Sequence, residues 1–248
     1  MTIDQVAGSE HDVLEAQYSE YLGGLSPAFE RELDRSRAYF ERFMAMVQVP
    51  ARRGALTDLE QNLIGVAVVA NVTHHHTPRL DAYLRRARAC GASEAQIHDA
   101  LQLASVLGVH ALTVGIPTIV EAFEEAGVDL GDRTALDERR QQLKDDFVAA
   151  RGYWHESWDD MLVLDPDMFE AYTAYSRLPA ERGVLEPKLR ELIYIAIDSV
   201  ATHLYVPGIK LHAVNAIRLG ATSDEIITAI EIASLIGANP YFDVIDRL

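Results

Sequence analysis

Displaced by 129 positions, the chain aligns with itself. Residues 56–108 fall on 185–237 without a gap, and 15 of the 53 pairs are identical. Leu63, Ile64 and Ala67 meet Leu192, Ile193 and Ala196; Thr73, His74 and Pro78 meet Thr202, His203 and Pro207. Gly91 and Ala92 meet Gly220 and Ala221, and Ala104, Ser105 and Gly108 meet Ala233, Ser234 and Gly237. Apolar positions and turn residues coincide together, which marks a duplicated unit rather than chance similarity.

Each unit reads as helices. Leu189–Ala201 is rich in Leu, Ile and Ala with no internal Gly or Pro. His203–Val206 interrupts it, and Pro207 suits the first turn of a second helix, where a missing N–H costs nothing. That helix runs to Leu219 and ends at Gly220, a natural residue for a left-handed C-terminal stop. Thr222 or Ser223 caps a third helix, with Asp224 and Glu225 in its first turn. Ile226, Ile227, Ile230, Ile232, Ala233, Leu235 and Ile236 make this third helix apolar nearly all round. Such a helix needs cover from a domain interior or an oligomer. Ser26-Pro27 and Asp165-Pro166 each read as a cap followed by Pro. No segment alternates like a strand bounded by hairpin turns. The expected fold is all-α in two tandem repeats: residues 1–123, a charged helical connection over 124–144, and residues 145–248.

Charge and cysteine usage narrow the function. Lys and Arg number 22 against 38 Asp and Glu, a net charge of −16. No basic run supplies the footprint that nucleic acid or an anionic membrane surface requires. Cys90 is the single cysteine, so an internal disulfide, a CxxC pair and a thiolate metal cage are all excluded. The start, MTIDQVAGSEHDV, lacks a basic, then apolar leader. Apolar runs read as shorter than about 18 residues and broken by Asp, Asn or Gly. The expectation is a cytoplasmic protein without a membrane span.

Glu191-Leu-Ile on a buried helix, His212 twenty-one residues on, and Gly-Ala-Thr-x-x-Glu-Ile opening a third helix together resemble the carboxymuconolactone decarboxylase family. That family includes the alkylhydroperoxidase D-like proteins. The likeness covers roughly residues 25–123 and 164–245 and is strongest at 185–237. It implies a fused form of the family's small subunit pair, and hence a homo-oligomer: a trimer resembling a hexamer. The peroxidase branch places Cys-x-x-Cys four and seven residues before the helix histidine. Here those positions hold Gly208 and Tyr205, and in repeat 1 Arg79 and His76. Thiol peroxidase chemistry needs a thiolate and a resolving partner, so it is excluded. The decarboxylase branch keeps the histidine without the cysteines and is the nearer likeness. It implies a cofactor-independent acid–base lyase acting on a small organic acid or lactone.

Candidate residues follow, each with a plainer alternative. Tyr205, Gly208 and His212 share one helix face if the helix begins near Pro207. His212 can exchange the proton a decarboxylation requires, and Tyr205 can stabilise an enolate; otherwise His212 is a satisfied core histidine. His203 recurs as His74 and either contacts ligand or bonds carbonyls at a helix end. Glu191 either orients a histidine or continues a solvated stripe with Lys188, and Asp198 lies on the same face. Repeat 1 carries Asn62 and Tyr83 where repeat 2 has Glu191 and His212, and adds His75, His76 and Arg79. Its site is either degenerate or remodelled to complete a pocket shared with repeat 2, in which Arg79 attracts an anionic substrate and His74, His76 and Tyr83 contact it. His110 either lines the same pocket or packs. His74-His75-His76 is set aside as a metal site, because adjacent residues point in different directions. Trp154 and Trp158 read as a core pair at helical spacing, and Cys90 as a small buried hydrophobe. No cofactor is expected. Another lyase, isomerase or hydrolase in the same pocket, or a non-catalytic small-molecule-binding protein, are the alternatives.

Overall fold

The computed structural model describes residues 3–247, with side chains from His11 onward except at Asp246. Among the described residues every regular element is helical. Two compact units cut the chain differently from its sequential halves: Met1–Ser105 with Gly183–Leu248, and Val106–Arg182.

The first unit contains α1 (Ile3–Leu22), α2 (Pro27–Arg35), α3 (Arg37–Val47), α4 (Val49–Arg53), α5 (Asp58–Val69), α6 (Thr77–Ala89) and α7 (Glu94–Ser105). The second contains α8 (His110–Glu125), α9 (Glu138–Arg151), α10 (Asp159–Leu164) and α11 (Pro166–Arg182). The chain then returns to the first unit with α12 (Pro187–Ser199), α13 (Val206–Arg218), α14 (Ser223–Ser234) and α15 (Asn239–Val244).

Both repeat cores therefore lie in one unit, α5–α7 with α12–α14. Helix α5 packs on α12, and the cross pairs α12 with α7 and α5 with α14 are reciprocal. Leu63, Ile64 and Ala67 and their counterparts Leu192, Ile193 and Ala196 are completely buried at the centre. Burial of such side chains is the main stabilising term, about 1.5–3 kcal/mol for each large one. The third helices keep matching caps. Thr222 and Glu225 form a capping box on α14. At the equivalent place on α7, the Ser93 N–H donates to Gln96 Oε1 and the Gln96 N–H to Ser93 Oγ. Each box satisfies N–H groups that a helix start otherwise leaves open.

The amino-terminal helices form a second cluster with the end of the chain. Tyr18 lies among Phe29, Phe40, Phe43 and Phe242, and its hydroxyl donates to the Phe40 carbonyl at 2.9 Å. In the Val106–Arg182 unit the core is Phe147, Trp158, Met161, Leu162 and Phe169.

Four expectations change here. The 124–144 segment is only partly helical, because α8 ends at Glu125 and α9 starts at Glu138, with Gly127 and Gly131 at positive φ between them. Trp158 is a core residue and Trp154 packs on Phe147 and Phe169, but the pair spans a 3-10 turn rather than an α-helix. Cys90 is exposed, at the C-cap of α6. The helical run Glu94–Glu125 is long and apolar enough, by length and composition only, to cross a membrane; its most apolar 18-residue window has a mean hydropathy of 1.8 and is 33% buried.

Candidate active site

Glu191, Tyr194 and Asp198 stand at i, i+3 and i+7 on α12, a spacing that brings them to one face. Helix α13 runs back along α12 and presents Gly208 and His212, one turn apart, to that face. His212 Nδ1 lies 2.8 Å from Glu191 Oε2, and the Tyr194 ring stacks on the imidazole at 4.5 Å. A carboxylate accepting the Nδ1 proton fixes the ring's orientation and leaves Nε2 to exchange protons.

The turn between the helices is strained. Leu204 has φ of +46°, the left-handed region that a branched residue occupies at a cost of about 1–2 kcal/mol. The turn is tied back to the end of α12 by the Tyr205 N–H donating to the Asp198 carbonyl at 2.9 Å. Leu204 itself is exposed while its neighbours His203 and Tyr205 are half-buried, their rings 6.0 Å apart. The strain thus turns two polar aromatic residues toward the helix pair.

Asp198 is the most unusual group. It is 2% exposed, and its Oδ2 has no hydrogen-bond partner among the described residues. His203 Nε2 is 3.9 Å from Oδ1, too long for a hydrogen bond. Loss of hydration pushes the Asp198 carboxyl up to about 7, against a smaller downward pull from His212. Burial also lowers the basicity of His203. Gly208 makes this packing possible, because a Cβ there would stand 2.1 Å from Asp198 Oδ2 and 2.6 Å from Tyr205 Cδ1. The result is a carboxylic acid titrating near neutrality beside an oriented His–Glu pair, a set able to donate and withdraw protons at pH 7.

The structure thus brings Glu191 to His212, and His203 and Tyr205 to Asp198 two turns further along α12. Tyr205 stands there as the residue capping α13 rather than within the helix. Tyr194 and Asp198 complete the group. Asp198 reads from sequence as part of a solvated stripe, yet its counterpart in repeat 1 is Val69, a buried residue. That apolar partner is the signal that the position lies inside.

Repeat 1 is built differently. Arg79, at the position of Gly208, is 1% exposed. Its guanidinium donates to the Tyr21 carbonyl and lies 3.3 Å from the Tyr21 ring centroid, beneath α1. The expectation of a substrate contact at Arg79 is corrected on that ground, because the side chain is already enclosed. Tyr83 occupies the space of a side chain at Gly65, where a Cβ would meet it at 2.2 Å. His76 caps α6 by accepting from the Arg79 N–H and pairs with Asp243 at 2.8 Å. His74 Nδ1 lies 3.1 Å from the Thr73 hydroxyl and 3.4 Å from that of Thr202, and burial lowers its basicity. His75 is exposed, so the three adjacent histidines diverge. His110 opens α8 in the other unit and is half-buried there.

The sequence profile of the Carboxymuconolactone decarboxylase family matches residues 166–242, the second repeat. A crystal structure from Burkholderia xenovorans, of a protein proposed to be a gamma-carboxymuconolactone decarboxylase subunit, is similar over 96% of this chain and 95% of its own. The identity is 38% and the TM-score 0.89. No curated protein matches the chain. Identity at that level over nearly the whole length of both chains, on a shared helical fold, places this chain in the carboxymuconolactone decarboxylase family.

Proposed function

We propose that the protein is a cofactor-independent lyase that decarboxylates a small organic acid or lactone in the repeat 2 site. The observation that carries this reading is the buried Asp198 carboxyl, whose Oδ2 has no hydrogen-bond partner among the described residues, on the same helix face as the Glu191–His212 hydrogen bond of 2.8 Å. In such a reaction the bond to the departing carboxylate breaks, carbon dioxide leaves, and the electron pair passes into an adjacent carbonyl as an enolate. Tyr205 donates a hydrogen bond to the enolate oxygen. His212, held by Glu191, delivers a proton from Nε2 to the carbanionic carbon and is reprotonated from solvent. Asp198, partly neutral at pH 7, keeps negative charge away from the incoming carboxylate and serves as the second acid.

The name of the Burkholderia relative supplies the first compound to try, γ-carboxymuconolactone. Incubated in deuterium oxide, the protein should release carbon dioxide and leave deuterium on the product carbon, and His212→Ala should slow both by roughly 10²–10⁴-fold. No release from this compound or from related carboxylated lactones would overturn the reading.

A homo-oligomer, a trimer resembling a hexamer, is proposed as the working assembly. Val206, Ile217 and Leu219 of the α13 region and Ile227 and Ile230 of α14 are exposed on the single chain. Covering apolar surface of that kind is the usual drive for self-association.

A further inference from the structure

A cavity of about 310 Å³ opens where repeat 1 carries its counterpart of the repeat 2 site. Asn62, Tyr83 and Cys90 line it, at the positions of Glu191, His212 and Leu219. Arg86 is its dominant polar group. The Arg86 Nε donates to Asn62 Oδ1 at 3.1 Å, and Nη1 donates to the carbonyls of Glu20 and Tyr21 at 3.1 and 3.3 Å. Its guanidinium lies 4.6 Å from the Tyr83 ring centroid, and Arg79 lies 4.7 Å from the same ring.

Two guanidinium groups thus share Tyr21 and Tyr83 in a largely buried setting, and neither forms an ion pair among the described residues. Glu20 and Asp58 also line the cavity and both are exposed; the Glu20 charge favours charged Arg86, but from beyond ion-pair distance. Burial, and after it the neighbouring Arg79, disfavour the charged form of Arg86, against opposing pulls from Tyr83, Tyr21 and Glu20 that are each smaller than burial. A half-buried charge whose nearest counter-charge is distant and exposed is costly, and a carboxylate able to accept from the guanidinium would relieve it. Val47, Pro50, Ile232 and Leu235 give the cavity an apolar wall. Its volume is at the lower end of the range that holds small molecules. Asn62 explains why no protein group fills the role: where repeat 2 has an acid on its helix, repeat 1 has an amide.

We infer that this cavity is a second binding site, for a small carboxylate with an apolar body, in which Arg86 is the anion contact and Asn62 positions it. The inference does not depend on the chemistry proposed for repeat 2, since the two sites share no side chain.

Binding of benzoate and succinate, each against its neutral amide, tests it by calorimetry and thermal shift. At least one carboxylate should bind at millimolar concentration or below, with its amide at least about tenfold weaker. Binding should persist in His212→Ala. Arg86→Gln should weaken it by about tenfold or more, but Arg86 also holds the end of α1, so that variant can fail to fold. Asn62→Asp avoids this difficulty, being isosteric and supplying an internal carboxylate 3.1 Å from Arg86. It should raise the thermal midpoint and abolish carboxylate binding. Equal binding of acid and amide, no binding of either carboxylate to the wild-type protein, or binding lost in His212→Ala but kept in Asn62→Asp would each overturn the inference.

Discussion

The Thr73 hydroxyl lies 3.2 Å from that of Thr202, the residue 129 positions later and its counterpart in the repeat. With the reciprocal packing of α5 on α14 and of α12 on α7, this contact between equivalent residues marks a local two-fold axis. The axis relates α5–α7 to α12–α14 and so generates two related sites from one duplicated framework. The sites have since parted in chemistry. Acids and histidines occupy repeat 2, whereas arginines, an amide and a tyrosine line the counterpart in repeat 1.

His212→Ala should lower turnover roughly 10²–10⁴-fold, the range of a lost general acid or base. Glu191→Gln leaves the ring in place but removes the charge that holds it, and should cost less than the histidine while remaining clearly measurable. Steady-state rates with thermal midpoints check this. Unfolding of His212→Ala without a specific kinetic loss would make it a core histidine.

Gly208→Ala tests the packing that places Asp198. The new Cβ would fall 2.1 Å from Asp198 Oδ2, so the carboxyl or Tyr205 must move. Overpacking of this kind costs about 1–3 kcal/mol, and turnover should fall with the thermal midpoint. An unchanged rate would separate Asp198 from the chemistry.

The repeat made the framework legible in the sequence. Pro207, Gly220 and the Thr222–Glu225 capping box mark helix limits through local chemistry that tertiary packing does not alter. Glu191 and His212 stand out through the family resemblance, because the position of each on its own helix fits a solvated or core residue equally well. Asp198 and Arg79 were not read correctly, because the environment of each depends on groups distant in the chain. Gly208 provides the space around Asp198, and Tyr21 of α1 encloses Arg79. Cys90 escaped for a similar reason: the residue ends a helix beside a cavity, which no local pattern reveals.

Ile217→Asp on the exposed face of α13 should break the proposed oligomer. Light scattering at micromolar concentration should give a trimer for the wild-type chain and a smaller species for the variant. A wild-type monomer would remove the assembly from the account.

Asp198 should also leave a mark on stability. Its folded carboxyl titrates near 7 and its ordinary value is 3.8, so the folded state binds the extra proton between these limits. Its contribution is fully present below the lower value and is lost as pH rises through the upper one. The stability difference between wild type and Asp198→Asn should therefore favour the variant increasingly from about pH 4 to pH 7 and level off above. Denaturant unfolding across that range measures it, and a difference independent of pH would contradict the assigned burial.

The ionisation of Asp198 itself is the most direct test of a repeat 2 site built for proton transfer. Carbon-13 spectroscopy of protein labelled at the aspartate side chains, assigned with Asp198→Asn, follows this one carboxyl through its titration and needs no substrate. The account predicts a midpoint near 7, moving upward in His212→Ala as the attraction of the imidazolium is removed. A midpoint near the ordinary 3.8, unmoved by His212→Ala, would contradict it.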